Sequence, residues 1–112
     1  MIPEVIVLAL ALLGLSPQDL RVVVVEEPPS GLSWMEQQSW KGWVTAGDPE
    51  TDGLVFVAGW RRDYRNAVKG KSDAVISLAG LLAHERCHLA QPVHQRITSS
   101  PETEGECYDK EL

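Results

Sequence analysis

The sequence predicts an α+β fold in which a small antiparallel or mixed sheet packs on a long helix, with an N-terminal helix and a short C-terminal helix. Arg21 to Glu26 holds four consecutive valines, a β-branched run typical of a buried strand. Residues 43–46 and 54–58 are predicted as two further strands, because the segment between them has the Gly, Asp and Pro content of a hairpin loop. Beyond residue 72 the apolar side chains have the spacing of a helix, as Val75, Leu78, Ala79 and Leu82.

Both ends of the chain are predicted as helices. Val5 to Leu15 is apolar, and the residues ahead of it suit the first turn of a helix. We favour a buried structural helix there, with a signal or anchor segment over residues 1–15 as the alternative. A helix-start pattern at Ser100 predicts a closing helix from Pro101 to Leu112.

Length and composition bound the class of protein. The 112 residues make a single domain, 1–112, with the 44% hydrophobic content of an ordinary globular protein. A net charge of −6 argues against a nucleic-acid partner, which would need a basic face. The N-terminal apolar run is too short to span a bilayer, so we do not expect a membrane partner. We favour a cytoplasmic location, or a secreted one if residues 1–15 are a signal peptide.

The most specific motif is His84-Glu85-Arg86-Cys87-His88, inside the long predicted helix. Residues four apart on a helix lie one above the other on the same face. His84 and His88 can therefore aim both imidazoles at one metal ion, with Glu85 beside them to handle a proton. Two of the three histidines in the chain occupy this motif. We therefore interpret it as a metal site.

This spacing is the signature of the zincin metallopeptidases, and the chain resembles that family at the motif. The resemblance implies a Zn²⁺ cofactor and a zinc metalloendopeptidase that acts on a peptide or protein substrate. It also implies that Glu85 is the general base, which takes a proton from the attacking water and delivers it to the leaving amine. In this family the substrate lies along the edge strand of a sheet beside the active-site helix, and we expect residues 54–58 to be that edge.

A catalytic zinc site needs a third protein ligand, and Glu104 is the favoured candidate. On the predicted closing helix it shares the face of Cys107 and Tyr108, where an inward carboxylate is costly unless it is paired or bound to metal. A salt bridge to Arg86 is the alternative role for that carboxylate. With Glu104 as ligand, the chain is similar to small gluzincin-like domains of the ImmA/IrrE kind.

His94 is the other candidate for the third ligand. It stands six residues after His88, where the metzincins carry their third histidine. That family also has Gly three residues after the second histidine and a methionine turn beneath the metal. Here Gln91 takes the place of that Gly, and no Met follows Met35. These departures favour Glu104.

Three further features each have two interpretations, and the cysteines have a third, in which a Cys replaces Glu104 as a zinc ligand. Gly80, one turn before the first histidine, leaves room above a metal or allows a neighbouring segment to pack closely. Cys87 and Cys107 form a disulfide or are small buried residues, and we favour the second because Cys is often simply buried. Trp60 to Lys71 holds five basic residues and is predicted as a solvated loop, the alternative being a rim that holds an acidic substrate segment.

Two functions compete with a zinc peptidase. One is a zincin-like binding or regulatory module without turnover, either retaining zinc or free of it. The other is a helical module in which the histidines are ordinary surface or core residues. The oligomeric state, substrate sequence and cleavage preference are not indicated by the sequence.

Overall fold

Three strands and four helices make up the part of the chain that the computed structural model describes, which is residues 2–39, 41–44, 50 and 53–90. This arrangement confirms the predicted α+β class. In chain order the elements are α1 (Glu4–Leu12), β1 (Arg21–Val25), α2 (Trp34–Ser39), β2 (Gly42–Val44), β3 (Leu54–Ala58), α3 (Arg62–Val68) and α4 (Ser72–Ala90). The predicted closing helix, Pro101 to Leu112, lies outside the described residues.

The sheet is mixed, and β3 is its central strand. The strand order is β1-β3-β2, with β1 parallel to β3 and β2 antiparallel to it. Phe56 pairs with Val23 on one side and with Trp43 on the other. The prediction that residues 54–58 form an edge is therefore wrong, because the distant β1 pairs along the side of β3 that β2 leaves open. The edges of the described sheet are β1 and β2.

The valine run of β1 is a half-buried strand. Val22 and Val24 pack against the core, whereas Val23 between them is 39% exposed. The strand was predicted correctly, but its full burial was wrong, because only one face of the strand packs on the core and alternate residues point away from it. Val55 and Val57 of the central strand, by contrast, are almost completely buried.

The core lies between the sheet, α1 and α4. Ile6, Ala9 and Leu10 of α1 have no exposed area, and α1 packs on α4, where Leu82 is equally buried. The predicted structural helix is thus confirmed on one face, while Leu8 on the other face is 51% exposed. No helix among the described residues is long and apolar enough to cross a membrane.

Two short helices were not predicted. In α2, Ser33 Oγ accepts from the Glu36 N–H and Glu36 Oε1 accepts from the Ser33 N–H, both at 3.2 Å, which is a reciprocal capping box. The residues of α3 were predicted as an irregular loop, and that prediction is wrong. Only Tyr64 and Ala67 of α3 face the core, so the segment carries too short an apolar pattern to indicate a helix.

Candidate metal centre

The motif occupies the last third of α4, where the helix is held by its apolar stripe. Leu78, Ala79 and Leu82 are all at least 95% buried against α1 and the sheet. One turn further along, His84 and Glu85 are each only 6% exposed. Burial of an imidazole and a carboxylate is costly unless each has a polar or metal partner, so these positions are unusual for an ordinary amphipathic helix.

The two histidines converge as the spacing predicts. Nε2 of His84 lies 3.1 Å from Nε2 of His88. The two rings are nearly perpendicular, with an interplanar angle of 80° and centroids 4.7 Å apart. Two nitrogens bound to one tetrahedral zinc at ordinary Zn–N lengths lie about 3.3 Å from each other. The imidazole pair therefore fits a shared zinc ion, and the same distance also allows a hydrogen bond between the rings.

The described residues do not supply a third ligand. No group of three His, Cys, Asp or Glu side chains arranged to hold a metal occurs in residues 2–39, 41–44, 50 and 53–90. Both candidates, Glu104 and His94, lie outside those ranges. The choice between them therefore stays a prediction from the sequence.

Cys87, between the two histidines, is disulfide-bonded. It is also buried, with 8% of its surface exposed. The sequence favoured a small buried residue without a disulfide at this position. Its burial is confirmed, but the expected absence of a disulfide is wrong, because a buried cysteine can also be bonded. The second cysteine of the sequence, Cys107, lies outside the described residues.

The strand beside the motif helix at the edge of the described sheet is β2, whereas the sequence analysis expected residues 54–58. The strand β2 packs on α4 and presents its other side away from β3. A Cβ placed on Gly42 would lie 3.0 Å from the Phe56 carbonyl oxygen and 3.2 Å from Leu81 Cδ2. Leu81 precedes His84 by one turn, so the lack of a side chain at Gly42 lets β2 approach α4 close to the motif. The signal in the sequence was that Gly directly before the predicted strand 43–46.

Comparison with known proteins gives no family. No family model, no curated protein and no solved structure matches this chain.

Proposed function

We propose that this protein is a zinc-dependent metallopeptidase. The observation that carries the proposal is the 3.1 Å separation of the two Nε2 atoms on one helical turn, where His84 and Glu85 are both buried. A chance histidine pair on a solvated face would be exposed and would need no common orientation. The fit to a zinc ion and the family resemblance of the motif support the same conclusion.

Glu104 is the proposed third ligand, and the disulfide supports it. We infer that the partner of Cys87 is Cys107, because the sequence has no other cysteine. A bond between these two would hold the segment three residues after Glu104 against the motif helix. The carboxylate would then lie within reach of the two imidazoles, which is the geometry that a three-ligand site requires.

Each residue of the site then has one task. Zinc, when bound, supplies Lewis acidity that activates water and polarises the scissile carbonyl. His84 and His88 would hold the ion through Nε2. A carboxylate oxygen of Glu85 accepts the proton of the attacking water and later delivers it to the nitrogen of the leaving amine. The strand β2 is an outer strand of the described sheet and lies beside the helix, so it is the strand along which we expect an extended peptide to bind.

Metal analysis of protein purified without a metal-affinity tag tests the site. We expect about one zinc ion per chain in the unmodified protein and loss of zinc in His84→Ala and His88→Ala. Arg86→Ala is the matched control, because Arg86 lies on the same turn and is exposed. This control should retain zinc.

The same measurement distinguishes the candidate third ligands. Glu104→Ala should lose zinc and His94→Ala should retain it, and the reverse pattern would select His94. A protein that holds no zinc, nickel or cobalt at any stoichiometry, with the histidine variants unchanged in stability, would contradict the proposal. In that case the 3.1 Å contact between the rings is a structural hydrogen bond.

A further inference from the structure

A cavity of about 510 Å³ lies between the end of α1, the end of β3, the start of α3 and the first half of α4. This volume is within the range of small-molecule sites, which is about 300–1,000 Å³. Leu12, Val57 and Leu78 contribute apolar side chains to its wall. Gly80 and Leu81 also line it, so the cavity extends along α4 to within one turn of His84.

The charged side chains of the wall are mainly basic. Lys41 and Arg61 line the cavity together with Asp63, which gives a net positive wall in a chain whose net charge is −6. One Nη of Arg61 lies 3.3 Å from Asp63 Oδ2, and that carboxylate is largely in solvent, with 57% of its side chain exposed. Only 18% of the Arg61 side chain is exposed. Its positive charge is therefore held against an apolar wall, and its ion-pair partner among the described residues is a solvated, screened carboxylate.

Arg61 also has an unused donor. Among the described residues, its buried Nε–H has no hydrogen-bond partner. A buried N–H of a charged group without an acceptor is costly, and a guanidinium edge is shaped to bind a carboxylate through two parallel hydrogen bonds. A ligand carboxylate could satisfy this donor once the Arg61 side chain turns towards it, whereas a neutral apolar ligand would leave it unsatisfied.

We propose that this cavity binds a carboxylate carried on an apolar stem, with Arg61 and Lys41 receiving the carboxylate and the leucine and valine side chains covering the stem. The proposal concerns residues other than the metal ligands and does not depend on zinc. Such a ligand can be a free alkanoate or the C-terminal carboxylate of a peptide with an apolar last residue. Both sources present the same chemistry to the cavity.

Calorimetric titration of the full chain, with and without a chelator, tests the proposal with octanoate as probe and octanol as its uncharged match. Octanoate should bind once per chain and about ten-fold or more tighter than octanol, because hydrogen bonds to a charged group are among the strong ones. Arg61→Gln should abolish this preference. Arg62→Gln is the control, since Arg62 is exposed and does not line the cavity, and it should leave binding unchanged.

Two further measurements locate the ligand and identify its source. Ser77→Phe places a ring in the cavity from an exposed position and should weaken octanoate and octanol alike. Tighter binding of N-acetyl-valyl-leucine than of octanoate would assign the cavity to peptide C-termini, and weaker binding would assign it to alkanoates. Equal affinity for octanoate and octanol, or an unchanged octanoate affinity in Arg61→Gln with its fold retained, would overturn the proposal. If the protein still binds octanoate more tightly than octanol in the presence of the chelator, the cavity binds its ligand independently of zinc. The two proposals can then fail separately.

Discussion

At the scale of single residues, Glu85 gives the sharpest test of catalysis. Replacement of Glu85 by Gln keeps the size of this buried side chain but removes the proton acceptor. We expect the variant to retain zinc and to cleave a casein-type substrate about 10²–10⁴-fold more slowly, because a general base contributes that much. Zinc content and cleavage rate should be measured on one preparation. Unchanged cleavage would contradict the peptidase assignment, and zinc retention without cleavage in the unmodified protein would favour a regulatory module.

Asp19 gives a residue-scale prediction about pH. The backbone N–H and then the hydroxyl of Ser16 donate to Asp19 Oδ2 at 2.8 and 3.0 Å, and these bonds lower the pKa of the Asp19 carboxyl. A carboxyl whose pKa is lowered by folding stabilises the protein above its unfolded pKa, and this contribution is lost as the pH falls through the folded value. Melting temperatures measured from pH 6 to pH 2 should therefore fall less in Asp19→Asn than in the unmodified protein. Ser16→Ala, which keeps the backbone donor, should lie between them, and parallel curves would refute the assignment.

At the scale of elements, the contact between β1 and the end of β3 depends on Gly59. The Gly59 N–H donates to the Val25 carbonyl oxygen at 2.9 Å. A Cβ at this buried position would lie 2.7 Å from Val24 Cγ1 and 3.0 Å from the Val25 oxygen. Because one of these atoms is backbone, we expect Gly59→Ala to lower the free energy of unfolding by about 1–3 kcal/mol. Urea denaturation measures this loss, and a variant as stable as the unmodified protein would show that β1 can move away without cost.

The elements also show which structure the sequence could indicate. The helices α1 and α4 and the strands β1 and β3 were predicted because each carries an apolar run or stripe, and β2 was predicted with the help of the hairpin-loop composition that follows it. The helix α2 has no buried residue, and its only signal was the capping pair of Ser33 and Glu36. The role of β3 as central strand was not predictable from local pattern, because its partner β1 lies about thirty residues earlier and the pairing is set by packing.

The candidate site was predictable to the same extent and for the same reason. The spacing of His84 and His88 is a property of one helix, and the structure brings their Nε2 atoms together as expected. The sheet edge beside them and the cavity with Arg61 depend on contacts between distant segments, so no local pattern indicated them. Arg61 stood among five basic residues, and only packing distinguishes the one that is mostly buried.

At the scale of the whole molecule, the disulfide of Cys87 couples the motif helix to the rest of the chain. If its partner is Cys107, the bond closes a loop of about twenty residues, and such a loop stabilises a folded chain by about 3 kcal/mol through the reduced entropy of the unfolded state. Reduction should then lower the melting temperature of the zinc-free protein by roughly 10 °C. Cys107→Ser should show the same loss of melting temperature without reductant. Cys87→Ser is the control and should show an equal loss, because either substitution removes the same bond.

The same bond should also affect the metal. The disulfide would hold Glu104 beside the imidazoles. Without it, zinc binding would include the entropy cost of ordering the segment that carries Glu104. We therefore expect Cys107→Ser to bind zinc more weakly than the oxidised protein, measured by competition with a chromogenic chelator. His94→Ala in the oxidised protein should not weaken binding. Disulfide-linked dimers on a non-reducing gel would place the partner of Cys87 in a second chain and remove this support for Glu104. Equal zinc affinity in oxidised protein and Cys107→Ser would show that the ligand set does not need the tether.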